Sequence, residues 1–437
     1  MSIGNSIREE RLKQNLKQVT LAKGICSTSY LSKIENDLIV PSSDLIDLLL
    51  KRLNYDINLI SGDEEEKFIN KFYQLYKKAI DSRDKNFVRE ILHEFSTSSE
   101  RKMVFSQMKH FYTYNLYIFR LWMILDEDNE KILASYERVM KTSTDYDDKQ
   151  RFLMNLNTGL FYFINGQYQA SLKSLEKSLE FISFLDHDEW ENADFYNVLS
   201  MTYLRNYEYY NSITYALKSL QYYKDNLLFK RAIDSYVVMG VAHKNIKEYK
   251  KAEQYYNLAK KLAIDYGLHQ YEGLVYQNLG NLFAIQNIHY KAIEFFNLSL
   301  KFQEINYASD GYLITIFSII KENSKRNNQN QVLEWSRRGL ERIDKERVIN
   351  NRDNTSYYFH FFIYRSLFDS QDELESTLKR AIKHFEAIKD NRHVQKYSIY
   401  LADYYFKENK FKAAGLYYQK SNHVLYNQKT ISYREDL

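Results

Sequence analysis

The chain has 437 residues, too many for one small core, so two or more domains are expected. With 44% hydrophobic and 27% charged residues it reads as globular, and one proline and 12 glycines favour long helices over sandwiches, barrels or disordered linkers. The formal charge of +4 is too mild to announce nucleic-acid binding by itself, and the single cysteine excludes an internal disulfide framework and suits a reducing cytoplasm.

Along residues 1–60, Ile7, Leu12, Leu16, Leu21, Ile25, Leu31, Ile34, Leu45, Leu48 and Leu49 recur at helical intervals. They predict a small five-helix core. Ser27 is a good N-cap for a helix running to about Asn36. That helix would turn Leu31 and Ile34 inward and present Thr28, Ser29, Ser32 and Lys33 on its open side. Gln18 starts the preceding helix, where its amide can reach a phosphate or a base. Lys17, Lys23 and Asn36 are candidate phosphate contacts, which set register rather than sequence. The eight Lys/Arg and seven Asp/Glu of this stretch leave it nearly neutral, so DNA binding needs a basic face rather than a basic average. Cys26 lies in the turn before Ser27, has no second cysteine to resolve a sulfenic acid, and reads as a small core residue. Asp56–Lys67 is a polar junction in which Gly62 can break the chain and Asp63-Glu64-Glu65-Glu66 suit a helix N-terminus. The domains are therefore placed at 1–62 and 63–437.

From about residue 68 the pattern is periodic. Gly159, Ser200, Gly240 and Gly280 fall about 40 residues apart, and twelve residues after each comes Ser171, Ser212, Ala252 or Ala292. Tyr162, Tyr203, His243 and Phe283 follow the first marker by three, and Tyr168, Tyr209, Tyr249 and His289 by nine. The frame weakens at Ile320, Val332 and Gly339 and returns at Ala402, Tyr405, Phe411, Ala414 and Tyr418. Small residues let helices cross closely, and the 40 tyrosines are amphipathic filler between them. Counting from the first marker, the positions three before, one after and five after should line a groove. They give Asn197 and Arg205, then Val241 and Asn245, then Gln277, Asn281 and Ile285, with Lys244 adjacent. Asn and Gln both donate and accept, as a peptide main chain requires, and Arg205 or Lys244 could hold a terminal carboxylate.

Ile7-Arg8-Glu9-Glu10-Arg11, Gln18-Val19-Thr20-Leu21-Ala22 and Ser27–Asn36 resemble the helix-turn-helix of the phage-repressor (XRE-type) DNA-binding family. That resemblance implies an ion pair between Arg11 and Glu35 tying the first helix to the recognition helix. The periodic region is similar to the tetratricopeptide repeat, with two departures: the period is nearer 40 than 34, and the end-of-repeat proline is absent. Eight or nine helix pairs in a right-handed superhelix with a concave groove are expected. With the short turn Gly24-Ile25-Cys26-Ser27, the whole resembles the RRNPP-type peptide-sensing regulators of Gram-positive bacteria. The expectation is an all-α chain, a helix-turn-helix domain followed by a tetratricopeptide-like superhelix. It implies a cytoplasmic homodimer that binds double-stranded operator DNA and is switched by a short signalling peptide in the groove. The alternative is a repeat scaffold binding a partner protein such as a response regulator, with an auxiliary head, as relatives of the Rap type imply.

No phosphate-binding Gly loop, His-Glu-x-x-His, paired cysteines or nucleophile elbow occurs. Ser174–Lys177 and Ser376–Lys379 match Ser-x-x-Lys on repeat helices, by chance in a Ser- and Lys-rich chain. The ten scattered histidines form no ligand spacing, so neither an enzyme, a metal nor a cofactor is expected. Residues 1–20 hold no signal-peptide core, and no apolar run reaches the length of a membrane helix.

Overall fold

The computed structural model describes residues 3–39, 41–55, 62–97, 105, 107–185, 188–305, 309–350, 354–369 and 373–429. Within the first 55 residues lie α1 (Ile3–Lys13), α2 (Gln18–Ala22), α3 (Thr28–Glu35) and α4 (Ser43–Arg52). The predicted cap is present: Ser27 sits in extended backbone and its hydroxyl accepts the Tyr30 N–H at 3.1 Å. Ile3, Ile7, Leu21, Ala22, Leu31, Ile34, Ile46, Leu49, Leu50 and Leu53 close a core of their own. Two expectations are corrected. Leu12 and Leu48 are about half exposed, because their neighbours Arg11 and Leu49 take the inward direction. Four helices rather than five build this core among the described residues; Asp56–Ser61, most of the expected junction, lie outside them.

The contacts divide the chain into two units, Met1–Lys247 and Glu248–Leu437. After the head, the first unit contains α5 (Gly62–Ser82), α6 (Lys85–Leu92), α7 (Met108–Leu125), α8 (Asn129–Thr142), α9 (Asp148–Ile164), α10 (Tyr168–Phe181), α11 (Glu189–Arg205), α12 (Tyr209–Asp225) and α13 (Phe229–Asn245). Asp63, Glu64 and Glu65 occupy the first turn of α5, where the helix dipole favours carboxylates. The second unit contains α14 (Tyr249–Asp265), α15 (His269–Ile285), α16 (His289–Ile305), α17 (Ser309–Lys325), α18 (Gln329–Asn350), α19 (Thr355–Phe368), α20 (Leu374–Ala387), α21 (Asn391–Lys407) and α22 (Phe411–Lys429). Within each unit, helices that follow one another in sequence pack against one another.

The period of 40 has a plain origin. The helices α11 to α17 are each 17 residues long, and their starts are spaced 20 residues apart. The extra length over a 34-residue unit is therefore in the helices, since each connection is three residues. Among the described connections after α11 to α17, the missing prolines are replaced by left-handed residues that stop the helices: Tyr207, Leu227 and Lys247 in the first unit, Gly267, Asn287 and Asn327 in the second. After Leu227 the Leu228 N–H returns to the Tyr223 carbonyl at 2.8 Å, satisfying an end-of-helix acceptor. The small markers sit at helix crossings as expected. A Cβ on Gly159 would stand 2.7 Å from Leu175 Cγ, and one on Gly280 would enter the Phe296 ring. Ser171, Ser212, Ala252 and Ala292 are fully buried.

Candidate DNA-reading head and polar core of the repeats

In the head, Arg11 and Glu35 meet as the sequence resemblance implied. Arg11 Nε and Nη2 donate to the two Glu35 oxygens at 2.6 and 2.7 Å, and both side chains are buried. Arg11 Nη1 also donates to the Leu16 carbonyl at 2.7 Å. The hydrogen bond to Glu35, set against burial, raises the guanidinium above its ordinary value. Gln18 is drawn into the same cluster, its Nε2 donating to Glu35 Oε2 at 2.8 Å. Its amide is thus partly spent on fixing the start of α2 against α3, rather than standing wholly open.

Ser29, Lys33, Asn36 and Lys17 are exposed, and Thr28 and Ser32 are half-buried. Five of these, Thr28 to Asn36, share α3 and its C-terminal cap, and Lys17 caps α2. Asn36 Nδ2 donates to the Ser32 carbonyl at 2.8 Å, and its Oδ1 accepts from Arg8 Nη1 at 3.2 Å. Arg8, exposed on α1 beside this residue, was missed; its place in the first apolar helix gave no hint of contact with Asn36 28 positions away. Arg52 was missed too: it donates to the Leu21 carbonyl at 3.1 Å and to that of Lys23, locking the turn after α2 to α4. Cys26 is a free, half-buried thiol, and burial pushes it up, so it stays protonated.

The first unit holds a second polar assembly around the predicted Asn197. Asp194, on α11, is buried and bridges two arginines: Arg120 Nη2 of α7 at 2.8 Å and Arg231 Nη2 of α13 at 2.7 Å. Arg231 also donates to the Tyr223 hydroxyl at 2.7 Å, which in turn donates to the Ala193 carbonyl at 3.1 Å. Arg83, just past α5, pairs with Asp234 at 2.8 Å and reaches Asn197 Oδ1 at 3.4 Å. Burial pushes the Asp194 carboxyl up, but Arg120, Arg231 and Arg83 overcome it and hold the group below its usual range. Burial also pushes the nearby Asp81 up to about 6. Within this cluster Arg120 Nε and Nη1, Arg231 Nε and Asn197 Nδ2 are buried and have no acceptor among the described residues. Buried donors of this kind are costly, and with Asn197 and Arg231 closed to solvent they belong to the packed interior of the first unit rather than to an open groove wall.

The other predicted groove positions are placed as follows. Arg205 is exposed at the end of α11, its guanidinium 5.7 Å from the Tyr168 ring centre. Lys244 is half-buried, which lowers its ammonium, and Asn245 is exposed. In the second unit Asn281 is half-buried, whereas Gln277 is buried and occupied. Its Nε2 donates to Ser318 Oγ at 3.2 Å and its Oε1 accepts from Thr315 Oγ1 at 2.7 Å, stitching α15 to α17. The sequence did carry one signal for the missed arginine of α7: Arg120 interrupts the apolar run Leu116–Met123, where a lone charge needs a buried partner.

The helix-turn-helix family model (HTH_3) matches residues 7–60. The transcriptional activator NprA of Geobacillus stearothermophilus is 28% identical over 415 residues, spanning 94% of this chain and all of NprA. Along its length the chain is similar to the RRNPP-type regulators. Response regulator aspartate phosphatase I of Bacillus subtilis (strain 168) is 23% identical over 70% of this chain and 78% of its own. The quorum sensor NprR of B. thuringiensis in its apo form, 16% identical, superposes with a TM-score of 0.66 over 83% of this chain and 99% of NprR. NprR in complex with its cognate peptide NprX gives 0.57 at 14% identity, over 84% of this chain and 99% of that one. At these identities the superpositions show the fold alone, an all-α chain of tetratricopeptide-like helix pairs, and the family model adds the helix-turn-helix head. Among the described residues no helix is long and apolar enough to cross a membrane, and no group of His, Cys, Asp and Glu could hold a metal.

Proposed function

We propose that this chain is a cytoplasmic transcription regulator, a homodimer that binds operator DNA through residues 1–62 and is switched by a short signalling peptide held by residues 63–437. The observation that carries this reading is the match to an activator along its whole length. The exposed row Ser29, Lys33 and Asn36 along one capped helix supports it, with Ser29 in the N-terminal half, where a recognition helix meets base edges. Lys17, Gln18, Thr28 and Ser32 complete the DNA-facing set. On the peptide side, the exposed Arg205 and Asn245 and the half-buried Lys244 and Asn281 offer polar contacts, while the buried Asn197 would act through its neighbours. Gln277 then acts by positioning α17 against α15. The complex of NprR with NprX supports a peptide as the ligand class. Switching requires that the peptide bind one of two states better than the other.

Gel shift on the chain's own upstream DNA at low salt tests the reading; no shift there overturns it. If DNA is bound, Lys33→Ala changes sequence preference, while Lys17→Ala lowers the salt slope by about one. A second reading, a scaffold that binds a response regulator, is favoured by the likeness to aspartate phosphatase I over 70% of the chain. An unchanged phosphoryl lifetime and no co-elution with the chain's candidate response regulators would remove it.

A further inference from the structure

The second unit holds two lysines that nothing above uses. Lys321 on α17 and Lys396 on α21 are half-buried, and their ammonium nitrogens lie 4.9 and 5.5 Å from the centre of the same Phe317 ring. Lys396 also stands 5.0 Å from the Tyr364 ring and 5.6 Å from Tyr400, and it donates to the Tyr364 hydroxyl at 3.0 Å. Neither lysine pairs with a carboxylate among the described residues. The adjacent Glu322 is taken by His289 and Lys325, both at 2.6 Å, and Asp390 by His393 at 2.7 Å. The buried His360, stacked on Phe317 at 4.2 Å, brings no charge, since burial lowers it well below its ordinary value. Arg392, exposed nearby, adds a third cation.

Two ammonium groups withdrawn from water beside one ring repel each other, and the aromatic faces compensate only in part. Burial first pushes both groups down to about 8, helped next by Arg392 at Lys321 and by Lys321 at Lys396. Such an arrangement is stabilised by an anion. Tyr400, half-buried beside Lys396, gives that anion an apolar neighbour. A carboxylate attached to an apolar residue fits both features, whereas free phosphate would use the charges and leave the ring idle.

We propose that Lys321 and Lys396 form an anion site that takes the C-terminal carboxylate of a peptide whose last side chain packs against Tyr400. This rests on the peptide-switch reading above.

The test uses the full chain, with N-acetyl-L-phenylalanine, its C-terminal amide and inorganic phosphate as probes, read by thermal shift and calorimetry. The carboxylate raises Tm and the amide does not. Lys321→Met and Lys396→Met each keep the stem, fold with Tm no lower than the parent, and weaken the carboxylate about tenfold, as loss of one charge-assisted hydrogen bond implies. Equal effects of carboxylate and amide, unchanged binding by the Met variants, or a lysine-dependent response to phosphate alone would each overturn the proposal. Failure of the underlying reading looks different. If no short peptide changes DNA binding while the carboxylate still binds through both lysines, the anion site stands and its peptide is removed. If a peptide changes DNA binding through Asn197 while the carboxylate has no effect, this site falls and the switch stands.

Discussion

Glu35 accepts three N–H groups, two from Arg11 and one from Gln18, and so ties α1 and α2 to α3 through a single carboxylate. A buried pair of this kind contributes little net stability relative to apolar replacements, but breaking it strands a charge. Glu35→Ala is therefore expected to destabilise the head by about 3–5 kcal/mol, and Arg11→Met with Glu35→Leu to recover most of that loss. Urea unfolding followed by circular dichroism decides; additive losses in the double variant would show that the pair is not coupled. The pair was legible because both residues match a known spacing. Asp194 with Arg120 and Arg231 was legible only in part: Arg120 in its apolar run asks for a buried partner, but nothing names Asp194 and Arg231 until the packing brings them within 2.8 Å. Gln277 shows the reverse case: its position in the repeat was read, but its use as an inter-helix tie depends on Thr315 and Ser318, 38 and 41 residues away.

At the scale of elements, helix type and period were legible because small crossing residues and aromatics recur in one frame. The ends of helices were less so. Proline was the expected stop, yet the chain turns on residues with positive φ, several of them bulky. Leu227 at φ 55° is 69% exposed, so its side chain gains little packing to offset the strain. Leu227→Gly is expected to stabilise by about 0.5–1 kcal/mol, the relief of a left-handed Leu less the entropy that Gly loses. A lower melting temperature in that variant would mean that Leu227 packs against something its exposure conceals. In the head, the inward set was read too wide at two places: Leu12 and Leu48 are helical-interval leucines that the core does not need, since Arg11 and Leu49, itself in the predicted set, already fill those directions.

For the whole chain, the head has its own core, and separate hydrophobic clusters lie within residues 69–203, 283–364 and 359–414. Repeat arrays couple mainly to their neighbours, so cooperativity need not extend over all of them. Heating is expected to give a calorimetric enthalpy larger than the van't Hoff value, and amides of α2 and α3 should exchange earlier than those of α11. A single two-state transition, seen alike by calorimetry and by fluorescence, would contradict this. The division at Lys247 was not legible, because the repeat frame runs through it without a change in composition.

The uniform 20-residue step from α11 to α17 has a genetic consequence. A duplicated segment of two such steps adds a full helix pair in frame, and each old helix keeps its neighbours' small crossing residues. A duplicated segment of one step preserves every turn and every helix length but exchanges the two rows downstream. Residues shaped for one row, such as Gln277 tying α15 to α17, would then be presented by the other. Gene lengths in this lineage should therefore change by about 120 bases rather than about 60, since helix pairs rather than single helices are the stacking unit of such arrays.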